Sequence, residues 1–465
     1  AVIDLLRQRA RPYLFSNALA PAVTAGSLKA IEIARAADDL RQKLADNTRT
    51  FRQRMGEFGF DLLPGETPII PVMLGEATLA QKLAAALDRR GVYVAGFFFP
   101  VVPKGKARIR TQMSAALSAA DIDFAIGAFA EAGKEVGIWM EERPIPEIGP
   151  EDVLVKVHKT GICGTDIHIY NWDDWAKKTV PVPLVTGHEY SGEIAAIGAE
   201  VRNLKVGQRV SGEGHVVGMK SRASRAGKFH LDPDTKGIGV NLPGAFAEFV
   251  RIPAFNIIPL PDAIDDELGA ILDPLGNAVH TALAFDIVGE DVLVTGAGPI
   301  GIMGAAVARH VGARHVVITD VNPERLRLAT EVTDVVPVNV ATEDLRAVMN
   351  KLGMKEGFDV GLEMSGAPAA LDQMIDHMVM GGRIALLGVP ARPFIFDLGK
   401  IVFRMITLRG IYGREMFETW HKMLAMLESG LDVRKVITRR MSADDYAEAF
   451  KLAAGGEKGK IVLAW

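Results

Sequence analysis

The only cysteine of this chain lies where it could bind a metal ion together with a histidine and a carboxylate. Cys163 occurs in Gly161-Ile-Cys-Gly-Thr-Asp-Ile-His168, and His188-Glu189 begins 25 positions after the thiol. A thiolate, an imidazole and a carboxylate can hold one zinc ion and leave its fourth coordination position open for a substrate. An isolated cysteine is more often a small buried apolar residue, so the prediction of a catalytic zinc depends on the motifs that follow.

A glycine-rich motif follows a short apolar run further along the chain. The run 291–295 leads into Gly296-Ala-Gly-Pro-Ile-Gly301, and Asp320 ends a second apolar run 19 residues beyond the last glycine. In a strand-turn-helix unit these glycines allow a tight turn, close approach to a pyrophosphate and close packing of helix on strand. Asp320 can accept hydrogen bonds from ribose hydroxyls and would repel a 2′-phosphate, which favours NAD over NADP. The predicted cofactor-binding residues are Gly296, Gly298, Pro299, Ile300, Gly301, Asp320 and Arg325.

Length and composition narrow the class of protein. The chain has 465 residues, 49% of them apolar and 24% charged, with a formal charge of −4, so two or three ordinary globular domains are expected. No long run of one charge sign suggests a nucleic-acid partner, and no apolar stretch is long enough for a membrane span. A single cysteine permits no intrachain disulfide and predicts a cytoplasmic location. Because the sequence starts without methionine and within an amphipathic pattern, we expect a processed or truncated piece.

Hydrophobic periodicity predicts an α/β chain with three regions. Residues 1–136 mix amphipathic helices with short strands, which predicts an α+β domain, and a β-rich region with Gly and Pro turns follows to about residue 261. Beyond it, apolar runs near residues 292, 316, 335, 359, 384 and 406 alternate with helical patterns. Such alternation predicts a doubly wound parallel sheet of six strands.

Individual elements can be placed from the same patterns. In the first region we predict helices over 22–45, 77–90 and 119–134, and strands over 67–74, 91–99 and 107–111. Ser118 and Asp121 resemble a capping box that starts the third helix. The segment 416–465 predicts two helices and a final strand, Lys460–Ala464.

Five motifs follow one another in a characteristic order: Cys163-Gly-Thr-Asp, Gly187-His-Glu189, Gly212-Glu-Gly-His215, Asp273-Pro-Leu-Gly-Asn-Ala and Gly296-Ala-Gly-Pro-Ile-Gly301. With them, residues from about 138 to 465 resemble the zinc-dependent L-threonine 3-dehydrogenases of the medium-chain dehydrogenase/reductase family. The resemblance implies a GroES-like catalytic domain over 137–275 and 416–465, an inserted Rossmann domain over 276–415, and a homotetramer. It implies the zinc ligands Cys163, His188 and Glu189, with Asp273 as a nearby carboxylate that exchanges with water at the metal.

The resemblance also implies a reaction, the NAD-dependent oxidation of L-threonine to 2-amino-3-ketobutyrate with zinc as Lewis acid. Thr165 and His168 match the residues with which the family relays the hydroxyl proton, and His215 matches a histidine that bears on substrate choice. A packed, hydrogen-bonded histidine is the alternative for His168 and His215. For Asp273, which precedes Pro274, the alternative is a helix cap.

Two departures from the family pattern stand out. Many members hold a second, structural zinc with four cysteines, but the corresponding positions here are Gly218, Ser221, Ser224 and Asp232. These side chains cannot replace four thiolates, so we predict that the structural zinc is absent and that this lobe depends on packing and hydrogen bonds. The other departure is the lack of the family's N-terminal strand before Gly137, which predicts an unpaired sheet edge.

The first 136 residues have a resemblance of their own. Segments 9–17, 70–75 and 97–112 resemble the C-terminal domain of 2-amino-3-ketobutyrate CoA ligase, also called glycine C-acetyltransferase, and so predict the small domain of a fold-type I pyridoxal-phosphate enzyme. Arg110 matches the family's substrate-carboxylate arginine. No lysine here lies in the Schiff-base motif, so we predict that pyridoxal phosphate is absent and that this part is a scaffold or a remnant. A full-length ligase that consumes the dehydrogenase product is a possible partner.

Two other functions remain open at this point. A polyol or sorbitol-type zinc dehydrogenase would use the same metal, relay and NAD site. A catalytically inactive NAD-binding interaction module, fused to a ligase fragment, is the alternative of a different class.

Overall fold

The chain forms two units, Ala1–Glu141 and Glu142–Trp465. The computed structural model describes residues 2–9, 20–75, 77–134, 138–390 and 392–465. The predicted boundary after residue 136 and part of the segment 9–17 lie outside these ranges. No helix in the described ranges combines the length and the apolar character that a bilayer crossing needs.

Unit 1 is an α+β unit with a three-stranded antiparallel sheet. Its strands, in the order β1-β3-β2, are β1 (Ile69–Gly75), β2 (Ala95–Phe97) and β3 (Ala107–Gln112). Its helices in the described ranges are Val2–Arg9, Pro21–Ala36, Asp38–Glu57, Ala77–Asp88 and Ala119–Lys134. Helices pack on one face of the sheet around a core that includes Phe51, Ile70, Ile109 and Phe129.

Three predictions about unit 1 can be compared with its backbone. The capping box is present, because the Ser118 amide donates to Asp121 Oδ2 at 2.8 Å and the Asp121 amide donates to Ser118 Oγ at 3.2 Å. The helix predicted over 22–45 is wrong as one helix: Ala37 leaves the helical region at φ −97° and ψ 55°, and a new helix starts with two acidic residues in its first turn, where they favour a helix start. The strand predicted over 91–99 shortens to β2, because the preceding residues turn at Gly91 with φ +81°.

Unit 2 contains two large sheets. Its strands are β4 (Asp152–Gly161), β5 (Glu189–Ile197), β6 (Arg209–Gly212), β7 (His215–Val216), β8 (Lys236–Gly237), β9 (Phe249–Pro253), β10 (Ile257–Pro259), β11 (Asp291–Thr295), β12 (His315–Asp320), β13 (Val336–Asn339), β14 (Phe358–Glu363), β15 (Met378–Leu386), β16 (Thr407–Gly410), β17 (Ile437–Ser442) and β18 (Lys460–Ala464). Its α-helices are Gly164–Asn171, Asp174–Thr179, Arg222–Arg225, Asp266–Ala270, Leu272–Ala282, Pro299–His310, Pro323–Val332, Leu345–Lys351, Pro368–Asp376, Leu398–Arg404, Glu418–Glu428 and Tyr446–Ala454.

The first large sheet has the order β10-β6-β5-β4-β18-β17, with β9 also paired to β4. Strand β18 runs antiparallel to β4 and places Val462 opposite Gly161, so the last segment of the chain joins the β-rich region. Within the described part of the chain β9 has no second neighbour, so the sheet has an open edge there. The sequence analysis missed β17, because half of its residues are exposed and they lack an apolar alternation.

The second large sheet is parallel and has the order β13-β12-β11-β14-β15-β16. These are the six predicted strands. All five residues of β11 are buried, as expected for a central strand covered by helices on both faces. The strand order reverses between β11 and β14, and ligands of such sheets bind outside the carboxyl ends of the strands at this reversal.

Candidate active site

Strand pairing brings the three predicted metal ligands together. Gly161, the last residue of β4, lies opposite Glu189, the first residue of β5, and Cys163 comes two residues after Gly161. The sulfur of Cys163, a ring nitrogen of His188 and a carboxylate oxygen of Glu189 all lie within 4.8 Å of one another. Thiolate, imidazole and carboxylate are suitable zinc ligands, and three of them leave one position open.

Only one of the two carboxylate oxygens of Glu189 has a positively charged partner among the described residues. Glu189 is fully buried, and its Oε1 has no hydrogen-bond partner among the described residues. Lys460 Nζ lies 2.5 Å from Glu189 Oε2 and donates to the carbonyl of Ile162 at 2.7 Å. Burial raises the pKa of Glu189, and Lys460 and His188 act in the opposite direction. Buried acceptors without donors are costly, so this group fits a bound cation.

Asp166, which the sequence analysis did not identify, contacts both Cys163 and His188. It is 1% exposed, its Oδ2 accepts from the Cys163 amide at 2.9 Å, and its Oδ1 lies 3.7 Å from His188 Nδ1. Burial raises the pKa of Asp166, and His188 works against that rise. A carboxylate behind a metal-binding histidine fixes the orientation of the ring.

Asp273 lies beside the ligand group and is held by Arg414. Asp273 Oδ1 is 2.7 Å from Arg414 Nη1 and is not among the three clustered ligands. The residue lies inside the helix Leu272–Ala282, whose N-cap is Ile271, so the helix-cap alternative does not describe it. A Cβ atom on Gly214 would lie 3.4 Å from Asp273 Oδ1 and 3.8 Å from His188 Cβ, which locates Asp273 near the metal ligands.

Arg414 is the centre of a buried ionic network that the sequence analysis missed. It is 2% exposed, and its Nε donates to Glu213 Oε2 at 2.8 Å while Nη2 pairs with Oε1. Glu213 also accepts from the indole of Trp420 at 2.8 Å. Burial alone would raise the pKa of Glu213, but the charge and hydrogen bonds of Arg414 hold it well below its usual range.

The three predicted catalytic side chains occupy different environments. Thr165 Oγ1 lies 3.9 Å from the Cys163 sulfur. His168 has a side chain 62% exposed and lies 2.5 Å, Nδ1 to Oδ2, from Asp173. His215 stacks on Tyr412 at 5.5 Å between ring centroids, and its amide donates to Glu213 Oε1 at 3.0 Å.

The glycine motif forms an open cradle at the carboxyl end of β11. A Cβ on Gly298 would meet no atom within 4 Å, whereas one on Gly301 would collide with the Gly296 carbonyl. Pro299 and Ile300 start the helix Pro299–His310. The free space and the helix N-terminus fit a pyrophosphate.

Two side chains lie on the β12 side of this cradle. Asp320 Oδ2 accepts from the Ala297 amide at 2.8 Å, and Oδ1 accepts from the Asn322 amide at 2.9 Å. Arg325 has a buried Nε without a hydrogen-bond partner in the described part of the chain. Asp320 is the last residue of β12, and Arg325 lies in the helix Pro323–Val332 that follows this strand.

In the lobe without cysteines, Asp232 stands at the centre of a hydrogen-bond network. Its Oδ2 accepts from Ser221 Oγ at 3.0 Å and from Ser224 Oγ, and its Oδ1 accepts from the Asp234 amide at 2.8 Å. The bond from Ser224 is the largest of several that lower the pKa of Asp232. The carboxylate of Asp232 therefore holds together the lobe for which the sequence analysis predicts no structural zinc.

Family comparisons agree with this architecture. Residues 149–262 match the alcohol dehydrogenase GroES-like domain, and residues 299–429 match the zinc-binding dehydrogenase family. The chain is 63% identical to an L-threonine 3-dehydrogenase of Ruegeria pomeroyi over 342 residues, 73% of this chain and 99% of that protein. It belongs to the zinc-binding dehydrogenases. A second L-threonine 3-dehydrogenase, from Aeromonas hydrophila, is 60% identical over 338 residues, with 73% of this chain and 99% of that protein covered.

Solved structures of several dehydrogenases share the fold. Alcohol dehydrogenase from Thermus sp. ATN1 has a TM-score of 0.64 at 30% identity, covering 70% of this chain and 95% of that one. A putative zinc-binding dehydrogenase from Sinorhizobium meliloti, bound to NADP, has a TM-score of 0.64 at 27% identity, covering 69% and 94%. A 2R,3R-butanediol dehydrogenase from Bacillus subtilis has a TM-score of 0.64 at 26% identity, covering 70% of this chain and 96% of that one.

The N-terminal unit has a separate relationship. Residues 1–129 match the aminotransferase class I and II family. The predicted fold class is confirmed: GroES-like and Rossmann domains belong to the zinc-binding dehydrogenase part, and a segment of the aminotransferase type precedes them.

Replacing Asp232 should loosen the lobe. Asp232→Ala leaves the hydroxyl and amide donors around it without their acceptor, and we expect a loss of local stability. Hydrogen exchange of residues 218–235 should accelerate more than in Asp234→Ala, a matched change at an exposed neighbour. Equal exchange rates in the two variants would contradict a central role for Asp232.

Removing the charge of Arg414 should destabilise the chain strongly. Arg414→Met leaves Glu213 and Asp273 buried without their cation, which costs about 3–5 kcal/mol. Arg414→Lys keeps the charge but loses the forked geometry, and we expect it to fall between Arg414→Met and the wild type. Arg409→Met, at a side chain 46% exposed, should cost less than about 1 kcal/mol. Thermal unfolding ranks the variants, and equal midpoints for Arg414→Met and Arg409→Met would refute the network.

Proposed function

We propose that this chain oxidises L-threonine at its β-carbon with NAD and forms 2-amino-3-ketobutyrate. The observation that carries the proposal is the cluster of Cys163, His188 and Glu189, in which buried His188 and Glu189 atoms lack hydrogen-bond partners among the described residues. The same chain contains the Rossmann glycine motif. The name L-threonine 3-dehydrogenase, borne by relatives 63% and 60% identical, supports the choice of substrate.

One zinc ion would be held by Cys163, His188 and Glu189, with Asp273 close by. When bound, it would supply Lewis acidity toward the substrate hydroxyl, and NAD would accept the hydride from Cβ. Asp166 orients His188, and Lys460 offsets part of the negative charge of Glu189. Arg414 keeps the Asp273 carboxylate beside the ligands rather than among them.

The hydroxyl proton needs a route out of the site. Thr165 lies next to the sulfur of Cys163, and His168 opens to solvent while Asp173 holds its Nδ1. We assign Thr165 and His168 as the two steps of a proton path from substrate to water. His215 lies between Glu213 and Tyr412, and we assign it a contact with the amino-acid part of the substrate.

Cofactor choice follows from the β12 side of the cradle. We assign the Asp320 carboxylate the role of accepting hydrogen bonds from ribose hydroxyls, because a 2′-phosphate there would meet its negative charge. We therefore assign NAD to this chain, although one structural neighbour is bound to NADP. A cytosolic location agrees with this chemistry, because the single thiol must stay reduced to bind a metal.

A secondary alcohol other than threonine is the second candidate substrate. A 2R,3R-butanediol dehydrogenase shares the fold at 26% identity, and a diol or sorbitol would use the same ligands and relay. Turnover with L-threonine should exceed turnover with butanediol and sorbitol. An inactive interaction module is disfavoured, because the ligand group is intact.

For unit 1 we propose a role without pyridoxal phosphate. Arg110 is exposed, and its Nη2 lies 3.5 Å from Gln112 Oε1. We assign the unit a scaffold role and regard a 2-amino-3-ketobutyrate CoA ligase as its candidate partner, since that enzyme would consume the product.

We also propose that the chain is a homo-oligomer, up to a tetramer. All four residues of the edge strand β16 are exposed, and Leu398, Val402 and Phe403 are exposed on the preceding helix. An exposed strand edge can pair with a strand of another chain. A second copy that pairs with β16 would also cover these exposed apolar residues.

The oligomer should dissociate when this edge is charged. We expect Phe403→Glu combined with Leu408→Glu to lower the mass measured by light scattering, because unpaired buried charges oppose association. Val288→Lys, at another residue 67% exposed, should leave the mass unchanged. A monomeric wild type, or an unchanged mass in the double variant, would rule the interface out.

Loss of the thiol should separate chemistry from cofactor binding. Cys163→Ser is expected to remove the bound zinc and to lower kcat/KM for L-threonine by more than about 100-fold. Loss of a residue that only hydrogen-bonds to a metal ligand already costs up to about 100-fold, and loss of a ligand should cost more. NADH binding, followed by fluorescence, should remain near wild type. Full turnover by the zinc-free variant would contradict the proposed function.

A further inference from the structure

The carboxyl end of β14 carries a buried carboxylate that the proposed reaction has not used. Glu363 is 2% exposed. Its Oε1 accepts from the amides of Ser365 at 2.9 Å and Gly366 at 3.0 Å, and also from the Ser365 hydroxyl. The hydroxyl of Thr295, at the end of β11, lies 3.4 Å from the same oxygen. The side chain therefore ties the loop 364–367 to the carboxyl end of β11.

The backbone of the same residue organises a second loop. The carbonyl oxygen of Glu363 accepts from the amides of Leu387 and Gly388, each at 3.0 Å. A Cβ on Gly388 would collide with Glu363 Oε2 and with the Gly366 amide. Glycine is therefore required at Gly388, and the loops 364–367 and 387–389 are packed against one carboxylate.

The third segment at this place is the glycine motif itself. Gly296 has φ +91°, and a Cβ there would lie 2.9 Å from Ser365 Cα. The loop 364–367 thus forms the wall of the cradle on the β14 side, directly across the reversal of strand order from Asp320. In doubly wound sheets a dinucleotide spans this reversal, with its two halves on opposite sides.

The β14 side is also the side that faces the metal ligands. Ile411, after the neighbouring strand β16, donates its amide to the carbonyl of Leu386 at 2.9 Å. The residues that follow it include Tyr412, which stacks on His215, and Arg414, which holds Asp273. The half of the cofactor that reacts must lie on this side, because hydride transfer requires it close to the substrate.

We propose that Glu363 is a positioning residue for the nicotinamide half of NAD. It holds the loops 364–367 and 387–389 in the shape that receives the nicotinamide ring and its ribose, and it makes no contact with the adenosine half. This inference rests on the proposed NAD binding, and it does not depend on the identity of the alcohol substrate.

Direct binding of two ligands to the full chain tests the proposal. NADH contains the nicotinamide ring, and ADP-ribose lacks it. In Glu363→Gln an amide group faces the Ser365 and Gly366 donors, so we expect NADH to bind on the order of tenfold more weakly, while ADP-ribose affinity changes less than about twofold. Glu290→Gln is the matched control. Glu290 directly precedes β11, at the amino ends of the strands, and its carboxylate pairs with Arg383 at 3.0 Å. The control variant should bind both ligands as the wild type does.

The outcomes distinguish this inference from the function on which it rests. Unchanged NADH affinity, or equal weakening of NADH and ADP-ribose, would overturn the role of Glu363 and leave the proposed function intact. A wild type that fails to bind NADH would overturn both. If Glu363→Gln does not fold, Ser365→Ala replaces it, because it removes one donor to Glu363 and should weaken NADH alone, by about threefold.

Discussion

The carboxylate of Glu189 is buried where β4 and β5 pair, and a buried negative charge requires a positive charge close to it. This constraint explains much of the structure of unit 2. Glu189 is held in place by the pairing of β4 with β5, and β18 brings Lys460 to one of its oxygens. We propose that the other oxygen, the imidazole of His188 and the thiol of Cys163 bind a metal ion. The C-terminal strand is therefore part of the site, because without it a buried charge would stand uncompensated.

A second buried charge connects the parts of unit 2. Arg414 follows the last strand of the parallel sheet and pairs with Glu213 from the β-rich region and with Asp273 from a connecting helix. A buried ion pair gains little stability compared with apolar packing, but breaking it is costly. The network therefore fixes a geometry: the segment after β16 cannot move without disturbing Asp273 and His215.

Local sequence patterns were sufficient for the six strands of the parallel sheet and for the motifs at the ends of β11 and β12. The glycine motif and Asp320 could be placed because their spacing within one strand-turn-helix unit is fixed by backbone geometry. Lys460 and Arg414 could not, because their roles arise from contacts between distant segments: Arg414 and Glu213 are 201 positions apart. Strand β17 was missed for a related reason, since its pairing with β18 is not visible in its exposed residues.

X-ray absorption at the zinc edge of the metal-loaded chain tests the central claim most directly. The account predicts one zinc per chain, with one sulfur at about 2.3 Å and nitrogen or oxygen ligands at about 2.0–2.2 Å. The single sulfur must come from Cys163, the only cysteine of the chain. A zinc shell without sulfur, or a second tightly bound zinc in each chain, would contradict it.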